Sequence, residues 1–304
     1  MTAAAKAKVG DHANVKSPGH SGTAPRFHRY RTRRHAHRRL ASPPPIPPRS
    51  LFPMKKLFSI LALVALLPFA VAQAPATAKV DASAPIEKKD TTGAFRKAHE
   101  SFLARGKSGP IDVLFIGDSI TAGWTRVPHI WEHYYGKNQS ANFGIGGDQT
   151  QHVIWRIANG ELDGISPKVT VLMLGTNNSA GHTAAEIAAA DRKIVELIRQ
   201  KIPGTKVLVL AIFPRGARKD QAGRITEAAI ADAIKRTDVI NAVNADLAKL
   251  DDGRNVRFLD INAVFVGQDG KIPFAIMPDQ LHPNAAGYQL WADAMKPLLT
   301  EMLK

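Results

Sequence analysis

Ile111-Asp112-Val113-Leu114-Phe115-Ile116 runs directly into Gly117-Asp118-Ser119. A short β-rich run thus ends in a glycine turn that carries a potential nucleophile. Four more apolar runs follow, at 141–145, 169–174, 207–213 and 256–261. Nearly continuous apolar runs suit parallel strands buried on both faces. Helical stretches lie between them, at 183–201, 221–250 and 284–303, and another at 95–104 precedes the first strand. Within 183–201, Ile187, Ile194, Leu197 and Ile198 share one face. Repeated β–α alternation predicts an α/β fold, a three-layer α/β/α sandwich around a parallel five-stranded sheet.

The strand ends carry the polar chemistry. The first run ends in Gly117-Asp118-Ser119, the second in Gly144-Ile145-Gly146-Gly147-Asp148, and the third in Gly175-Thr176-Asn177. Open α/β sheets bind ligands beyond the carboxyl ends of their strands. In the flavodoxin-like order 2-1-3-4-5 the first three strands are neighbours, so their end loops are expected to meet in one crevice. Gly147 has no side chain, so its N–H can approach a substrate oxygen closely. Asp148-Gln149-Thr150-Gln151 reads as a capping box with Asp148 opening a helix. Asn177 offers a side-chain amide. Asp279-Gln280-Leu281-His282-Pro283 places a base, His282, three residues after an acid, Asp279, that can orient it. Acyl transfer needs these parts: a nucleophile, a base, an orienting group, and donors aimed at the developing oxyanion.

Outside 91–304, the expected catalytic domain, the chain changes character. The net charge is +15, from 41 Lys and Arg against 26 Asp and Glu. Residues 1–53 hold eleven Lys and Arg and one Asp, so most of that excess sits there. Their Arg-, His- and Pro-rich composition has no helical or strand period and cannot bury a core. A nucleic-acid arm is one reading of such a segment. An upstream extension from a misassigned start codon is the preferred one, because Met54-Lys55-Lys56, an apolar run 57–67 and Ala70-Val71-Ala72 describe a secretory signal peptide at 54–72. The run is shorter than the roughly 20 residues of a membrane span, so no stable membrane anchor is expected. Residues 73–90, rich in Ala, Pro, Lys and Asp, read as a flexible leader. The expected location is secreted or periplasmic. Cysteine is absent, which excludes disulfides and thiolate metal sites.

Single motifs here are weak, but four in order are not. Ser119, Gly147, Asn177 and His282 resemble the four blocks of the SGNH (GDSL) hydrolases. The resemblance is closest to the catalytic-subunit-like esterases of the platelet-activating-factor acetylhydrolase type. It covers roughly 111–303 and includes Asn142-Phe143-Gly144-Ile145-Gly146-Gly147-Asp148, Val153-Ile154-Trp155-Arg156, Asn159-Gly160-Glu161-Leu162, Gly175-Thr176-Asn177-Asn178 and Pro214-Arg215-Gly216. It implies a flavodoxin-like fold and ester hydrolysis without metal or organic cofactor. It also implies a triad of Ser119, Asp279 and His282, with an oxyanion hole formed by the Ser119 and Gly147 N–H groups and the Asn177 amide. The acetylhydrolases are cytosolic, whereas this chain carries an export signal, so a phospholipid substrate does not transfer with the resemblance. Secreted bacterial relatives often remove acetyl groups from carbohydrates. The expected partner is therefore a small-molecule or glycan ester, with no nucleic acid; oligomeric state, a homodimer included, is open. The alternatives are a non-catalytic carbohydrate- or envelope-binding protein on the same fold, and a lysophospholipase or thioesterase.

Two rival motifs carry less. Gly117-Asp118-Ser119-Ile120-Thr121 falls one residue short of the Gly-x-Ser-x-Gly elbow. That fold draws an oxyanion donor from a loop upstream of the nucleophile, whereas Ser119 here follows the first strand of the domain. His129-Ile130-Trp131-Glu132-His133 matches a zinc pattern with two His four apart, but no third ligand stands out and solvated or packed histidines are preferred. His152 and His182 read as surface or helix residues, Trp155 as a packed tryptophan and Arg156 as a surface arginine.

Overall fold

The computed structural model describes residues 79–304. The basic segment 1–53 and the signal peptide expected at 54–72 lie outside the described residues. In chain order the main elements are α1 (Ala94–Lys107), β1 (Val113–Gly117), α2 (Ser119–Ala122), α3 (Pro128–Tyr135), β2 (Ala141–Gly144), α4 (Thr150–Ala158), β3 (Val169–Met173), α5 (Ala184–Lys201), β4 (Lys206–Leu210), α6 (Glu227–Leu247), β5 (Val256–Leu259) and α7 (Ala285–Met302). The strands form one sheet in the order β2-β1-β3-β4-β5, and every pairing is parallel. This is the α/β/α sandwich that the alternation predicts.

Strand periodicity divides the core in two. Leu114, Ile116, Leu172, Val207 and Val209 point to one face, where α4, α5 and α6 supply Ile154, Ile194, Ile198, Ile240 and Val243. Val113, Phe115, Val171, Met173, Leu208 and Leu210 point to the other, against Ile130 and Tyr135 of α3 and Tyr288, Trp291 and Met295 of α7. Successive residues of a strand face opposite sides, so each run must be apolar throughout. Trp124 lies at the centre of the second core, with the rings of Trp131, Tyr135, Tyr288 and Trp291 4.6–5.9 Å away.

Element ends follow local chemistry. Thr183 caps α5 and accepts from the N–H of Glu186, whose carboxylate accepts from the Thr183 N–H in return. Asn284 caps α7 through the Gly287 N–H. Two expectations shift. The helix expected from 221 begins at Glu227, because the Thr226 hydroxyl caps the Ala229 N–H there. The run 207–213 leaves the sheet after Leu210, although Ala211, Ile212 and Phe213 stay buried. Asn244 replaces the missing strand partner, since its side chain accepts from the Ile212 N–H and donates to the Ile212 carbonyl.

Residues 79–90 differ from the flexible leader that their composition suggests. They lie along the domain: the Ile86 N–H donates to Gln151 O at 3.2 Å, Thr150 Oγ1 donates to Ala82 O at 2.7 Å, and Lys193 Nζ donates to Ser83 O at 2.9 Å. Ala82 is buried. Hydrogen bonds and ion pairs, rather than an apolar period, hold this segment.

At the carboxyl end of the sheet β2 packs on α2 without room for a methyl. A Cβ at Gly144 would fall 2.8 Å from the Thr121 carbonyl carbon and 2.9 Å from Ala122 Cα. Both are backbone atoms and cannot turn aside. Gly144→Ala is therefore expected to cost about 1–3 kcal/mol, read as a lower midpoint in urea unfolding. An unchanged midpoint would contradict this packing.

Candidate active site

Ser119 opens α2 straight from β1. Its predecessor Asp118 is the N-cap, and Asp118 Oδ1 accepts from the Ile120 N–H at 2.9 Å. The turn before α7 delivers the other two groups. His282 Nε2 lies 2.8 Å from Ser119 Oγ, and His282 Nδ1 lies 2.7 Å from Asp279 Oδ2. A carboxylate only accepts, so Nδ1 carries the proton, and Nε2 is left to accept from the serine hydroxyl. Asp279 Oδ1 also takes the His282 N–H at 2.7 Å and the Leu281 N–H at 3.1 Å, so the acid shapes the turn as well as orienting the ring. Burial works against the charged form of Asp279. The hydrogen bonds from the His282 backbone and ring outweigh it, and the carboxyl sits below its ordinary range. Gln280 takes a left-handed φ of 61° in this turn. Its amide donates to Ile272 O and Met277 O, both at 3.1 Å, and its carbonyl accepts from the Gly216 N–H at 3.0 Å.

The three loops expected to meet do so. The Ile145 N–H donates to Gly117 O at 3.2 Å, joining the first two. Asn177 Nδ2 donates to Asp148 O at 2.8 Å and reaches Asp118 Oδ2 at 3.3 Å, joining the third to both. Gln149 Nε2 donates to Asn177 O at 3.2 Å. Gly147 holds φ 72° and is exposed. Among the described residues, no acceptor takes the N–H of Gly147 or of Ser119. A cleft of about 410 Å³ opens beside His282, lined by Arg126, Asp279, Asn284 and Tyr288 among others.

A model of the GDSL-like lipase/acylhydrolase family matches residues 115–290, a span that holds every group of this relay. The chain belongs to that family. Platelet-activating factor acetylhydrolase IB subunit alpha1 of Homo sapiens is similar to this GDSL-like acylhydrolase, at 35% identity over 219 residues, 72% of this chain and 88% of the relative. The alpha2 subunit of Rattus norvegicus is 36% identical over 206 residues, 68% of this chain and 83% of that one. The fold is shared with solved structures: an acylhydrolase-like protein of Bacteroides fragilis aligns with TM-score 0.55 at 22% identity, covering 71% of this chain and all of that one. A platelet-activating-factor-like protein of Streptococcus pneumonia aligns with TM-score 0.53 at 22% identity, covering 67% and 92%. The enzyme is accordingly a GDSL acylhydrolase, and its substrate is an ester.

Beneath the crevice of this acylhydrolase runs a buried charge network that corrects two expectations. Asp148 does not cap α4. Gln149 does, and its N–H donates to His152 Nδ1 at 3.0 Å. Asp148 is instead fully buried, with Oδ2 taking Arg156 Nε at 3.0 Å. Arg156 is no surface arginine either: it is fully buried and also binds Glu161 and, through Nη2, Gly117 O at 3.5 Å. Trp155 is the half-exposed member of that pair and packs on Phe95 and His99 of α1. A buried guanidinium needs carboxylates more than an indole needs full burial. Asp148 and Glu161, eight residues before Arg156 and five after it, were the available signal. Burial pushes the Asp148 carboxyl up to about 6, against the pull of Arg156 and Lys88, and pushes Asp118 up to about 7. Burial, then the charges of Lys88 and Arg156, take His152 down to about 4, in keeping with an Nδ1 that accepts.

Other residues brace the site without a sequence signal. Arg236 donates to Thr176 O at 2.9 Å and Ser179 Oγ at 3.0 Å, and Arg215 donates to Thr176 Oγ1 at 2.9 Å, which fixes the loop before Asn177. Arg218 Nη2 lies 3.3 Å from Asp279 Oδ2. His129 and His133 are exposed on α3, and among the described residues no third potential ligand joins them. His182 Nε2 donates to Val80 O at 2.8 Å.

Arg156→Met strands Asp148 and Glu161 in the core and is expected to cost about 3–5 kcal/mol. The pH dependence has a definite sign. Loss of the guanidinium raises the folded pKa of Asp148 still further above its unfolded value. The penalty is then full at high pH and shrinks as pH falls through that raised value. Urea unfolding at pH 8 and pH 5 checks this; a penalty that grows toward pH 5 would contradict the burial of an Asp148 carboxylate that has lost its guanidinium and keeps only Lys88.

Proposed function

We propose that this acylhydrolase is an exported serine esterase that removes short acyl groups, acetyl first among them, from small-molecule or carbohydrate esters. The observation that carries the catalytic part is the continuous relay from Ser119 Oγ through His282 to Asp279, facing two unspent backbone N–H groups. Ser119 Oγ attacks the ester carbonyl carbon while its proton passes to His282 Nε2. Asp279 holds Nδ1–H and stabilises the imidazolium. The carbonyl oxygen becomes an oxyanion and draws on the N–H groups of Ser119 and Gly147. One N–H of the Asn177 amide is spent on Asp148 O; the other, held loosely at 3.3 Å from Asp118 Oδ2, is the one that turns to the oxyanion. His282 then gives its proton to the departing alkoxide. Water, deprotonated by His282, attacks the acyl-serine and releases the acid and the free hydroxyl.

Acetyl preference rests on the named activity of the acetylhydrolase relatives. The carbohydrate preference rests on the export signal at 54–72 and on what secreted relatives commonly do. Hydrolysis rates across acetyl, butyryl and octanoyl esters, beside acetylated glycans, test both. A faster octanoyl rate, or no rate on any acetyl ester, would overturn the assignment.

Ser119→Ala is expected to lose on the order of 10⁶ in turnover, and an organophosphorus probe is expected to label Ser119 alone. Labelling elsewhere would move the site. Asn177→Ala is expected to fold normally and lose roughly 10²–10³ in kcat with little change in KM, because the donor acts where charge develops. A large melting shift with a small rate loss would remove Asn177 from the oxyanion hole. Export is read by mass: the mature species is expected to begin near Gln73, and a mature species retaining Arg31–Arg39 would refute the processing.

A further inference from the structure

Residues 79–93 precede the family-matched region, yet their contacts converge on the loop that holds Gly147. The segment is tied to α4 and α5 through Ala82, Ser83 and Ile86. From it Lys88 extends to the crevice. Its ammonium donates to Gly146 O and stands 3.5 Å from Asp148 Oδ1, so it holds the residues on either side of Gly147. The position a Cβ of Gly147 would occupy lies 3.2 Å from Lys88 Nζ. The Lys88 side chain is 22% exposed and Asp148 is fully buried.

Charge balance gives this contact its weight. Asp148 faces Arg156 on α4, the neutral ring of His152, Glu161 beyond α4 and Asp118 at the end of β1. Arg156 is shared with Glu161. Two carboxylates therefore compete for one guanidinium, and Lys88 is the cation that completes the set. That positive charge sits on the carbonyl of the peptide whose N–H is to meet the oxyanion.

We propose that Lys88 is a positioning residue of the oxyanion site, whose ammonium clamps Gly146-Gly147-Asp148 and, by donating to Gly146 O, polarises the peptide that carries the Gly147 N–H. This rests on the serine-esterase reading above. The clamp keeps the Gly147 N–H aimed at the Ser119 side, and its charge favours the tetrahedral intermediate over the neutral ester. Preorganised charge of this kind lowers the barrier without tightening ground-state binding.

The chain has no cysteine, so Lys88→Cys introduces a single thiol into the full-length protein. Lys88→Cys is expected to lose about 10–100-fold in kcat on an acetyl ester, with KM within about twofold. Aminoethylation of that thiol with 2-bromoethylamine restores an ammonium at nearly the lysine length and is expected to recover most of kcat. Carboxamidomethylation, which adds a neutral amide, is expected not to. Lys88→Met gives a second readout: it removes the charge without adding a reactive thiol and is expected to show the same loss of kcat with KM nearly unchanged. Melting curves of both variants separate rate from folding. Full kcat in Lys88→Cys, equal activity of the two adducts, or a melting shift with unchanged kcat per folded molecule would overturn the role of Lys88. The underlying reading fails separately, by retained activity in Ser119→Ala.

Discussion

Strand β1 is hydrogen-bonded along both edges, to β2 through Leu114–Gly117 and to β3 through Val113–Gly117. The placing of the first three strand-end loops descends from that constraint. The last paired residue of β1, Gly117, is aligned with Gly144 on one side and Met173 on the other. The three chains leave the sheet at one level, so the loops that follow are side by side before any side chain interacts. Ser119, Gly147 and Asn177 are thereby brought together from positions 28 and 30 residues apart. The sheet is buried on both faces and cannot slide by one residue without exchanging its two cores. The rigidity that catalysis by preorganised donors requires is thus a property of the strand pairing itself.

The last turn reaches the same level by a different route. α7 packs its Tyr288 and Trp291 among Trp124 and Phe213, and Tyr288 donates to Ile120 O at 2.6 Å. That hydrogen bond ties α7 to α2, the helix that begins with Ser119. His282 is therefore registered against Ser119 by an aromatic core on the opposite face from Arg156. Two independent packings meet at one serine.

The crevice floor is unusually rich in desolvated acid. Asp118, Asp148 and Asp191 are buried, and burial raises all three carboxyls; neither oxygen of Asp191 is hydrogen-bonded. A floor of this kind would repel an oxyanion if it were fully charged. Arg156 and Lys88 offset it at Asp148, and the raised value at Asp118 leaves that group partly protonated near neutral pH. The acids are best understood as anchors: Asp118 caps α2, and Asp148 holds the glycine loop on α4 and receives the Asn177 amide on its carbonyl.

Much of this was legible in the residues alone. Period and run length fall along the chain, so the five strands and their helices could be read locally, as could Asp279 and His282 three residues apart and the glycines that follow β1 and β2. Their order also carried the family. What local patterns could not decide was which polar side chain goes inside. Arg156 and Trp155 are adjacent, and only the positions of Asp148 and Glu161 in space make the arginine the buried one. Lys88 lies in a stretch with no apolar period, and its place beside Gly147 depends on an ion pair across 60 residues of sequence. Sequence by itself determined the elements and the family, because both follow from short-range spacing and the order of the motifs. Tertiary structure alone decided how the buried charges are paired, because Coulomb attraction and desolvation depend on distance and burial in the folded chain and not on separation along it.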